Sequence, residues 1–266
     1  FTQIDIETAF LSENDITAMA EGLVRHIFKE VGEPLADTPF QRLTYDEAMS
    51  QYGSDKPDLR FGLTLKDYAT MLGDIPLDFI QGKKIKGIHV EGENASLTRK
   101  ILDGYKDLIA DLNVAFSFIK KEDALSGSLV KHLSEAQTDA LNQTLNAGDT
   151  LILAIGDKAD TALGRIRLSL RDQLGLIHDA PHAAAIITDW PMFEYDEETA
   201  RYYATHHPFT LPKGDLATIQ NHPETLMSHA YDVVINGHEV GGGSLRIYDQ
   251  AIQSAVFGHL GLSLDE

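Results

Sequence analysis

The sequence contains no cysteine, and this absence excludes several kinds of site. Without thiols the chain can form neither disulfide bonds nor thiolate zinc sites. A chain without disulfides fits a reducing cytoplasm, so a cytoplasmic location is the expectation. The pair His206-His207 could suggest zinc, but no HExxH motif and no spaced His or Cys set accompanies it. Zinc is therefore not expected.

Long apolar runs and basic residues are also scarce. No stretch approaches the roughly 18 consecutive apolar residues that a membrane span needs, which argues against a transmembrane protein. Lys and Arg total 22 against 41 Asp and Glu, giving a formal charge of −19 over 266 residues. Taken alone, this charge argues against nucleic-acid binding, because phosphate contacts need Lys and Arg.

One segment, 82–121, is less acidic than the rest of the chain. It carries eight basic and five acidic residues, and the basic ones are Lys83, Lys84, Lys86, Arg99, Lys100, Lys106, Lys120 and Lys121. Two interpretations stay open, a solvated basic face and an RNA contact, and charge runs of this kind favour the solvated face.

The N-terminal segment Phe1–Glu7 has the alternating pattern of a half-buried strand. Ile4 and Ile6 share one face, and the other face carries Gln3, Asp5 and Glu7. A helix should follow, opened by Asn14 or Asp15 and ended by Gly32. Its apolar positions recur at helical spacing: Ile16, Met19, Leu23, Ile27 and Val31.

A second, short helix and an ordered loop are predicted next. Thr44 followed by Glu47 is a capping-box signature. The stretch YGSDKPDLRF at 52–61 has too much Gly, Pro and charge for a helix or strand, so it predicts an ordered loop.

The middle of the chain alternates between strand and helix patterns. Strands are predicted at Ile85–Val90, Val114–Ile119 and Thr150–Ile155, and helices at Leu97–Leu112, Ser134–Ala147 and Lys158–Leu174. The segments on both sides lack this alternation of strand and helix patterns. Residues 68–178 are therefore predicted to be an α/β domain inserted into a larger α+β fold made of 1–67 and 179–266.

The most informative stretch is YDVVINGHEVGGGSLRIYD, from Tyr231 to Asp249. Asn236-Gly237 between alternating apolar runs is a strong hairpin signal. A two-residue turn there places Val234 opposite Glu239 and Asp232 opposite Gly241, with Asp232 and Glu239 on one face. Two carboxylates so placed suit a divalent cation.

Glycine and arginine complete this constellation. Gly241–Gly243 would leave an open floor for a ligand. Arg246 would point to the opposite face in a regular strand, since it is an odd number of residues from Glu239, and a bulge within the three glycines would rotate it back. Its guanidinium could then hold a carboxylate through two hydrogen bonds. The alternative is a glycine-rich edge strand with a surface arginine.

These residues resemble motif 3 of the bacterial-type aspartyl-tRNA synthetases, and further motifs agree with that family. FTQIDIE resembles the end of motif 2, and the bacterial subtype is matched by YGSDKPDLRF, SLTRK at Ser96–Lys100, DWPMFE at Asp189–Glu194 and HHPFT at His206–Thr210. The resemblance covers essentially the whole chain. It implies the class II antiparallel sheet flanked by helices, with 68–178 as the inserted GAD domain.

The resemblance also implies roles for single residues. Gln3 and Glu239 would contact ATP, Asp232 and Glu239 would bind Mg²⁺, and Asp5, His206 and Arg246 would hold L-aspartate. The implied activity forms aspartyl-adenylate from aspartate and ATP and then transfers the aspartyl group to tRNA(Asp), with tRNA(Asn) left open. No residue would form a covalent intermediate. A homodimer is implied for the full-length enzyme.

Several parts of the family pattern are expected outside this sequence, so a fragment that is inactive alone is the expectation. The anticodon-binding barrel, motif 1 and the first part of motif 2 would precede Phe1, and the end of motif 3 would follow Glu266. One rival is a non-catalytic, GAD-bearing tRNA-binding module such as an amidotransferase subunit. FTQIDIE and VGGGSLR argue against it, because such a subunit needs no adenylate site. The related asparaginyl and lysyl enzymes are a second rival, against which Arg246 and the insertion argue.

Overall fold

The structure is a computed structural model that describes residues 1–33, 35, 38–93, 96–177 and 181–262. The described helices are α1 Glu13–Glu30, α2 Tyr45–Tyr52, α3 Ala69–Leu72, α4 Arg99–Leu108, α5 Glu135–Thr144, α6 Ala159–Gln173, α7 Leu216–Asn221 and α8 Gln250–Leu260. Short 3₁₀ turns lie at Ala110–Leu112, Val130–His132 and Pro223–Thr225.

The described strands follow in chain order. They are β1 Gln41–Thr44, β2 Leu65–Asp67, β3 Ile85–Val90, β4 Ala115–Lys121, β5 Leu125–Ser126, β6 Thr150–Ile155, β7 Ala184–Thr188, β8 Trp190–Pro191, β9 Phe193–Asp196, β10 Arg201–Ala204, β11 Pro212–Lys213, β12 Met227–Ser228, β13 Ala230–Ile235 and β14 His238–Ser244. None of the helices in the described part of the chain has the length and apolarity needed to cross a bilayer.

The chain folds into two compact units. Unit 1 consists of Phe1–Asp46 with Pro181–Glu266, and unit 2 is Glu47–Ala180. The predicted insertion, 68–178, lies within unit 2, and its boundaries stay a prediction.

Unit 1 is built around a four-stranded sheet in the order β1-β7-β13-β14. β1 is parallel to β7, and the other two pairs are antiparallel. A second, antiparallel sheet has the order β11-β12-β8, and β9 forms a hairpin with β10. Helices flank these mainly antiparallel sheets, so the α+β class expected from the sequence is confirmed.

Helix α1 covers one face of the four-stranded sheet. Its N-cap is Ser12, two residues before the predicted Asn14, because Ser12 and Asp15 form a reciprocal capping box. Of the predicted apolar positions, Ile16 packs in this core, together with Ala20 and Val24, which were not predicted. They contact a cluster that contains Phe40, Ile186, Tyr231 and Val233. Three other predicted positions of the apolar pattern, Met19, Ile27 and Val31, are exposed.

The predicted strand Phe1–Glu7 is wrong. The segment has no regular secondary structure, and all of its residues are exposed, including Ile4 and Ile6. Alternation produces a strand only where a neighbouring strand supplies the backbone hydrogen bonds. None of the strand pairs among the described residues includes this segment.

Unit 2 has a five-stranded sheet in the order β2-β3-β6-β4-β5, with every pair antiparallel. Strands and helices alternate along the chain as predicted, but the α/β class inferred from this alternation is wrong. That class has a mostly parallel sheet, whereas the antiparallel pairing here makes the domain α+β. All six residues of the central strand β6 are buried, because separate apolar clusters cover the two faces of the sheet. Helix α5 begins after Ser134, the predicted start of this helix, where Ser134 and Gln137 form a reciprocal capping box.

The predicted ordered loop, 52–61, is held by helix α6. The Arg167 guanidinium is buried, lies 3.9 Å from the centre of the Phe61 ring, and donates hydrogen bonds to the carbonyl oxygens of Asp58, Phe61, Gly62 and Leu63. Gly53 adopts φ +67°, and a Cβ there would lie 2.1 Å from the Asp160 carbonyl oxygen. Contact this close requires glycine.

Several basic residues of segment 82–121 are engaged inside unit 2. Lys84 and Lys86 both form ion pairs with Asp160, and Lys86 is buried. Lys106 pairs with Asp103, and Lys121 hydrogen-bonds Asn142. These contacts make the segment a poor candidate for a continuous phosphate-binding surface.

Candidate active site on the glycine-rich hairpin

The Asn236-Gly237 turn forms as predicted and fixes the start of the hairpin. Both residues have positive φ, +54° and +84°, as a type I′ turn requires. Ile235 pairs with His238 and Val234 with Glu239, which is the predicted register.

Beyond Glu239 the register shifts. Val233 pairs with Gly241 and Asp232 with Gly242, so Val240 is the extra residue of a β-bulge. The prediction that Asp232 faces Gly241 is therefore wrong by one residue. The bulge lies immediately before the three glycines rather than within them.

The bulge brings three predicted site residues to one face. Paired residues project to the same side, so Glu239 shares the face of Val234, and Asp232, two residues away, shares it too. Alternation from Gly242 through Ser244 puts Arg246 on this face as well. The Thr210 hydroxyl, opposite Arg246, hydrogen-bonds the Ser244 hydroxyl at 3.4 Å, which agrees with this placement.

The glycines accommodate neighbouring side chains as well as leaving space. A Cβ at Gly242 would come within 2.5 Å of the Asp232 Oδ1 atom, and a Cβ at Gly243 within 2.8 Å of the Tyr231 hydroxyl. Only Gly241 has open space at its Cβ position. The expected open floor is therefore narrower than predicted, because Asp232 and Tyr231 occupy part of it. β14 nevertheless lies at the edge of its sheet, and Glu239 is exposed.

A short extended segment pairs with the chain on either side of Arg246. Thr210 lies opposite Arg246, the Ile247 N–H donates to the Phe209 carbonyl, and the Leu211 N–H donates to the Leu245 carbonyl. The HHPFT motif is thereby held beside the arginine. The pKa of His207, one of its two histidines, is lowered. Desolvation is the larger cause, and the positive charge of Arg246 is the smaller one.

His206, the predicted aspartate contact, packs against a different motif. Its ring lies 4.5 Å from the Trp190 ring in an edge-to-face arrangement. His206 is exposed, and its position next to His207 keeps it in the segment that pairs with Arg246. The structure thus brings His206 and Arg246 onto paired segments.

No helix or strand among the described residues brings Gln3 and Asp5 to the other predicted site residues. Both lie in the exposed segment before α1, outside every strand that the structure describes. Their proposed contacts with ATP and aspartate stay predictions.

The donor set on the hairpin suits a hard divalent cation. No cluster of three or more His, Asp or Glu side chains able to hold a metal occurs within the described ranges. Asp232 and Glu239 supply two carboxylates on one face, and Mg²⁺ is commonly bound by one or two carboxylates together with substrate phosphates. The residues present therefore fit Mg²⁺ that arrives with a nucleotide.

Two residues near the site were missed from the sequence. The sequence motifs favour His206 over His207 and assign no separate role to Tyr231, although the Tyr231 ring covers Gly243. The signal for Tyr231 was its position opposite a glycine, but the correct pairing depends on the bulge.

The chain is similar to known proteins over its whole length. Residues 1–266 match the family described as tRNA synthetases class II (D, K and N). The aspartate–tRNA ligase of Bacillus licheniformis is 39% identical over 278 residues, covering 100% of this chain and 47% of the relative. The aspartate–tRNA(Asp/Asn) ligase of Anoxybacillus flavithermus is 40% identical over 279 residues, with the same coverage.

A third relative, the aspartate–tRNA ligase of Listeria monocytogenes serotype 4b, is 40% identical over 275 residues and covers 99% of this chain and 46% of its own length. The chain spans about half the length of the curated relatives that it matches. Since the family match extends over every residue, the chain belongs to the class II tRNA synthetases of the D, K and N group.

Proposed function

We propose that the complete protein carrying this chain ligates L-aspartate to tRNA(Asp) through an aspartyl-adenylate. The observation that supports this most strongly is the Val240 bulge, which puts Asp232, Glu239 and Arg246 on one face of the hairpin. Two acids that suit a magnesium–nucleotide complex then share a face with one arginine that suits a carboxylate. The relatives named as aspartate–tRNA ligases support the same reaction.

In the first step, an α-carboxylate oxygen of aspartate attacks the α-phosphorus of ATP, and the bond to pyrophosphate breaks. Arg246 holds the side-chain carboxylate, so that the α-carboxylate is the group presented to the phosphate. Asp232 and Glu239 would hold Mg²⁺, which would neutralise phosphate charge when bound. In the second step, a hydroxyl of the terminal adenosine of tRNA attacks the carbonyl carbon, and AMP leaves.

The remaining parts of the proposal concern the surroundings of this site. Gln3 contacts ATP, and Asp5 and His206 contribute to aspartate binding. Unit 2 contains the inserted GAD domain at 68–178, supported by its own two-sided core. The full-length protein works as a cytoplasmic homodimer.

Aspartate-dependent exchange of labelled pyrophosphate into ATP tests the proposal. The complete gene product should catalyse exchange with aspartate and not with asparagine or lysine, and should then charge tRNA(Asp). Exchange driven by asparagine or lysine would show that L-aspartate is not the specific substrate. No exchange with any amino acid, together with binding of tRNA, would favour a non-catalytic tRNA-binding module.

A further inference from the structure

Three backbone segments meet in a closed ring of hydrogen bonds where β13 and β14 separate. The His229 N–H donates to the Leu211 carbonyl at 2.9 Å, the Leu211 N–H to the Leu245 carbonyl at 2.8 Å, and the Leu245 N–H to the His229 carbonyl at 3.0 Å. Leu245 precedes Arg246, and Leu211 follows Thr210. The backbone of His229 therefore sets the place of both segments that carry the proposed aspartate contacts.

The side chain of His229 is itself fixed by a set of charged groups. Its Nδ1 atom lies 2.6 Å from the Glu13 Oε2 atom, and the Lys213 Nζ atom lies 3.1 Å from the same oxygen. Lys213 also lies 2.8 Å from the Asp189 Oδ1 atom. We call Glu13, Asp189, Lys213 and His229 the junction network.

The junction network connects four separate parts of unit 1. Glu13 is in the first turn of α1, Asp189 directly follows β7, Lys213 is in β11, and His229 directly precedes β13. Asp189 has φ +54°, and its carboxylate is held by the Thr188 hydroxyl as well as by Lys213. Displacement of one of these side chains therefore removes a contact that holds the others in place.

Hydrogen bonds within the network favour the charged forms of Glu13 and Lys213. Burial alone would raise the pKa of Glu13, but hydrogen bonds from His229 and Lys213 bring the pKa below its ordinary value. Burial opposes the charge of Lys213 too, and its bonds to Asp189 and Glu13 raise its pKa overall. Since Glu13 is then a carboxylate, the His229 Nδ1 atom carries the hydrogen. These four residues, together with Arg42 and Leu245, line a cleft of about 480 Å³.

We propose that Glu13, Lys213 and His229 are positioning residues that fix Arg246 and the His206–Thr210 segment for the side-chain carboxylate of the substrate. This inference rests on the proposed function of Arg246. The three side chains act through the ring of backbone hydrogen bonds and touch no substrate themselves. Loss of the network lets the segments around Leu211 and Leu245 shift, which weakens aspartate binding more than nucleotide binding.

Separate Michaelis constants for aspartate and ATP test the inference in the complete gene product. His229→Leu removes the donor to Glu13, and misplacement on the ångström scale is expected to raise the KM for aspartate about 10- to 100-fold. The KM for ATP should change less than about 3-fold. His229→Asn is the matched control, because its amide nitrogen can take the place of Nδ1 and should restore near wild-type constants.

Lys213→Met provides a second, independent variant with the same expectation, and thermal melting shows which variants are folded. Folded variants with an unchanged KM for aspartate, or with equal changes for aspartate and ATP, would overturn the inference. Failure of His229→Asn to restore the KM for aspartate would overturn it as well. If Arg246→Ala leaves aspartate use intact, the proposed function fails instead, so the two failures are distinguishable.

Discussion

Asp232 lies directly opposite Gly242 in the β13–β14 hairpin, and a Cβ atom at Gly242 would come within 2.5 Å of the Asp232 Oδ1 atom. The missing side chain at Gly242 therefore provides the space for a carboxylate on the face that also carries Glu239. Gly241 is different, because nothing lies within 4 Å of its Cβ position. Of these two adjacent glycines, only Gly242 is required to be glycine by contact with a neighbouring side chain.

Gly242→Ala should displace the Asp232 carboxylate without preventing folding, because a side-chain oxygen can rotate away. Loss of one well-placed metal ligand is expected to raise the Mg²⁺ concentration for half-maximal pyrophosphate exchange by about 10-fold. Gly241→Ala is the matched control and should behave like the wild type. Equal effects of the two substitutions would show that the contact with Asp232 is not what matters.

Deletion of Val240 should remove the bulge and turn Arg246 to the opposite face of the hairpin. We expect the protein to fold but to lose aspartate-dependent exchange by at least about 100-fold, since the guanidinium no longer faces the two acids. Val240→Ala keeps the residue count and should retain most activity. A deletion variant with wild-type exchange would contradict the proposed geometry.

The hairpin was predictable from Asn236-Gly237, because a type I′ turn is a local property of two residues. The position of the bulge was not predictable, since nothing about Val240 alone marks it as the extra residue. The segment Phe1–Glu7 shows the opposite case, in which a strand-like pattern has no pairing strand among the described residues.

Contacts between residues far apart in the sequence could not be predicted either. Glu13 and His229 are 216 positions apart, yet their side chains form a hydrogen bond. His229 could be judged only as an ordinary polar residue until the fold placed it beside the first turn of α1. Arg167 is a second case, because its four carbonyl partners lie more than 100 positions earlier in the sequence.

Arg167→Met should destabilise the chain strongly. Burial lowers the pKa of Arg167 to about 10, so the guanidinium is still charged at neutral pH, and its loss leaves buried carbonyl oxygens without donors. The expected loss is about 3 kcal/mol in the free energy of unfolding, measured by urea denaturation. Arg165→Met, on the same helix but in an exposed ion pair with Asp111, should leave the midpoint nearly unchanged.

Asp149 should contribute to stability at neutral pH and lose that contribution in acid. Burial alone would raise its pKa, but hydrogen bonds from the Asn146 and Gly92 N–H groups and from His89 bring the pKa below its ordinary value of 3.8. A lowered carboxyl pKa stabilises the fold above the unfolded pKa, and the effect disappears as pH falls through the folded pKa.

Asp149→Asn should therefore cost about 1–3 kcal/mol at pH 7 and show a shallower decline of the unfolding free energy below about pH 4. Urea denaturation from pH 7 to pH 3 measures both. An unchanged acid slope in the variant would show that Asp149 does not couple protonation to folding.

The proposed role of Arg246 is to bind the side-chain carboxylate of aspartate on the face that carries Asp232 and Glu239. Its most direct test is kcat/KM for aspartate in pyrophosphate exchange by the complete gene product, measured for the wild type, Arg246→Leu and Arg246→Lys. We predict a loss of at least about 100-fold in Arg246→Leu and a large loss in Arg246→Lys, because lysine cannot make the paired hydrogen bonds of a guanidinium, with the KM for ATP little changed in both. A folded Arg246→Leu variant with the wild-type kcat/KM for aspartate would contradict the account.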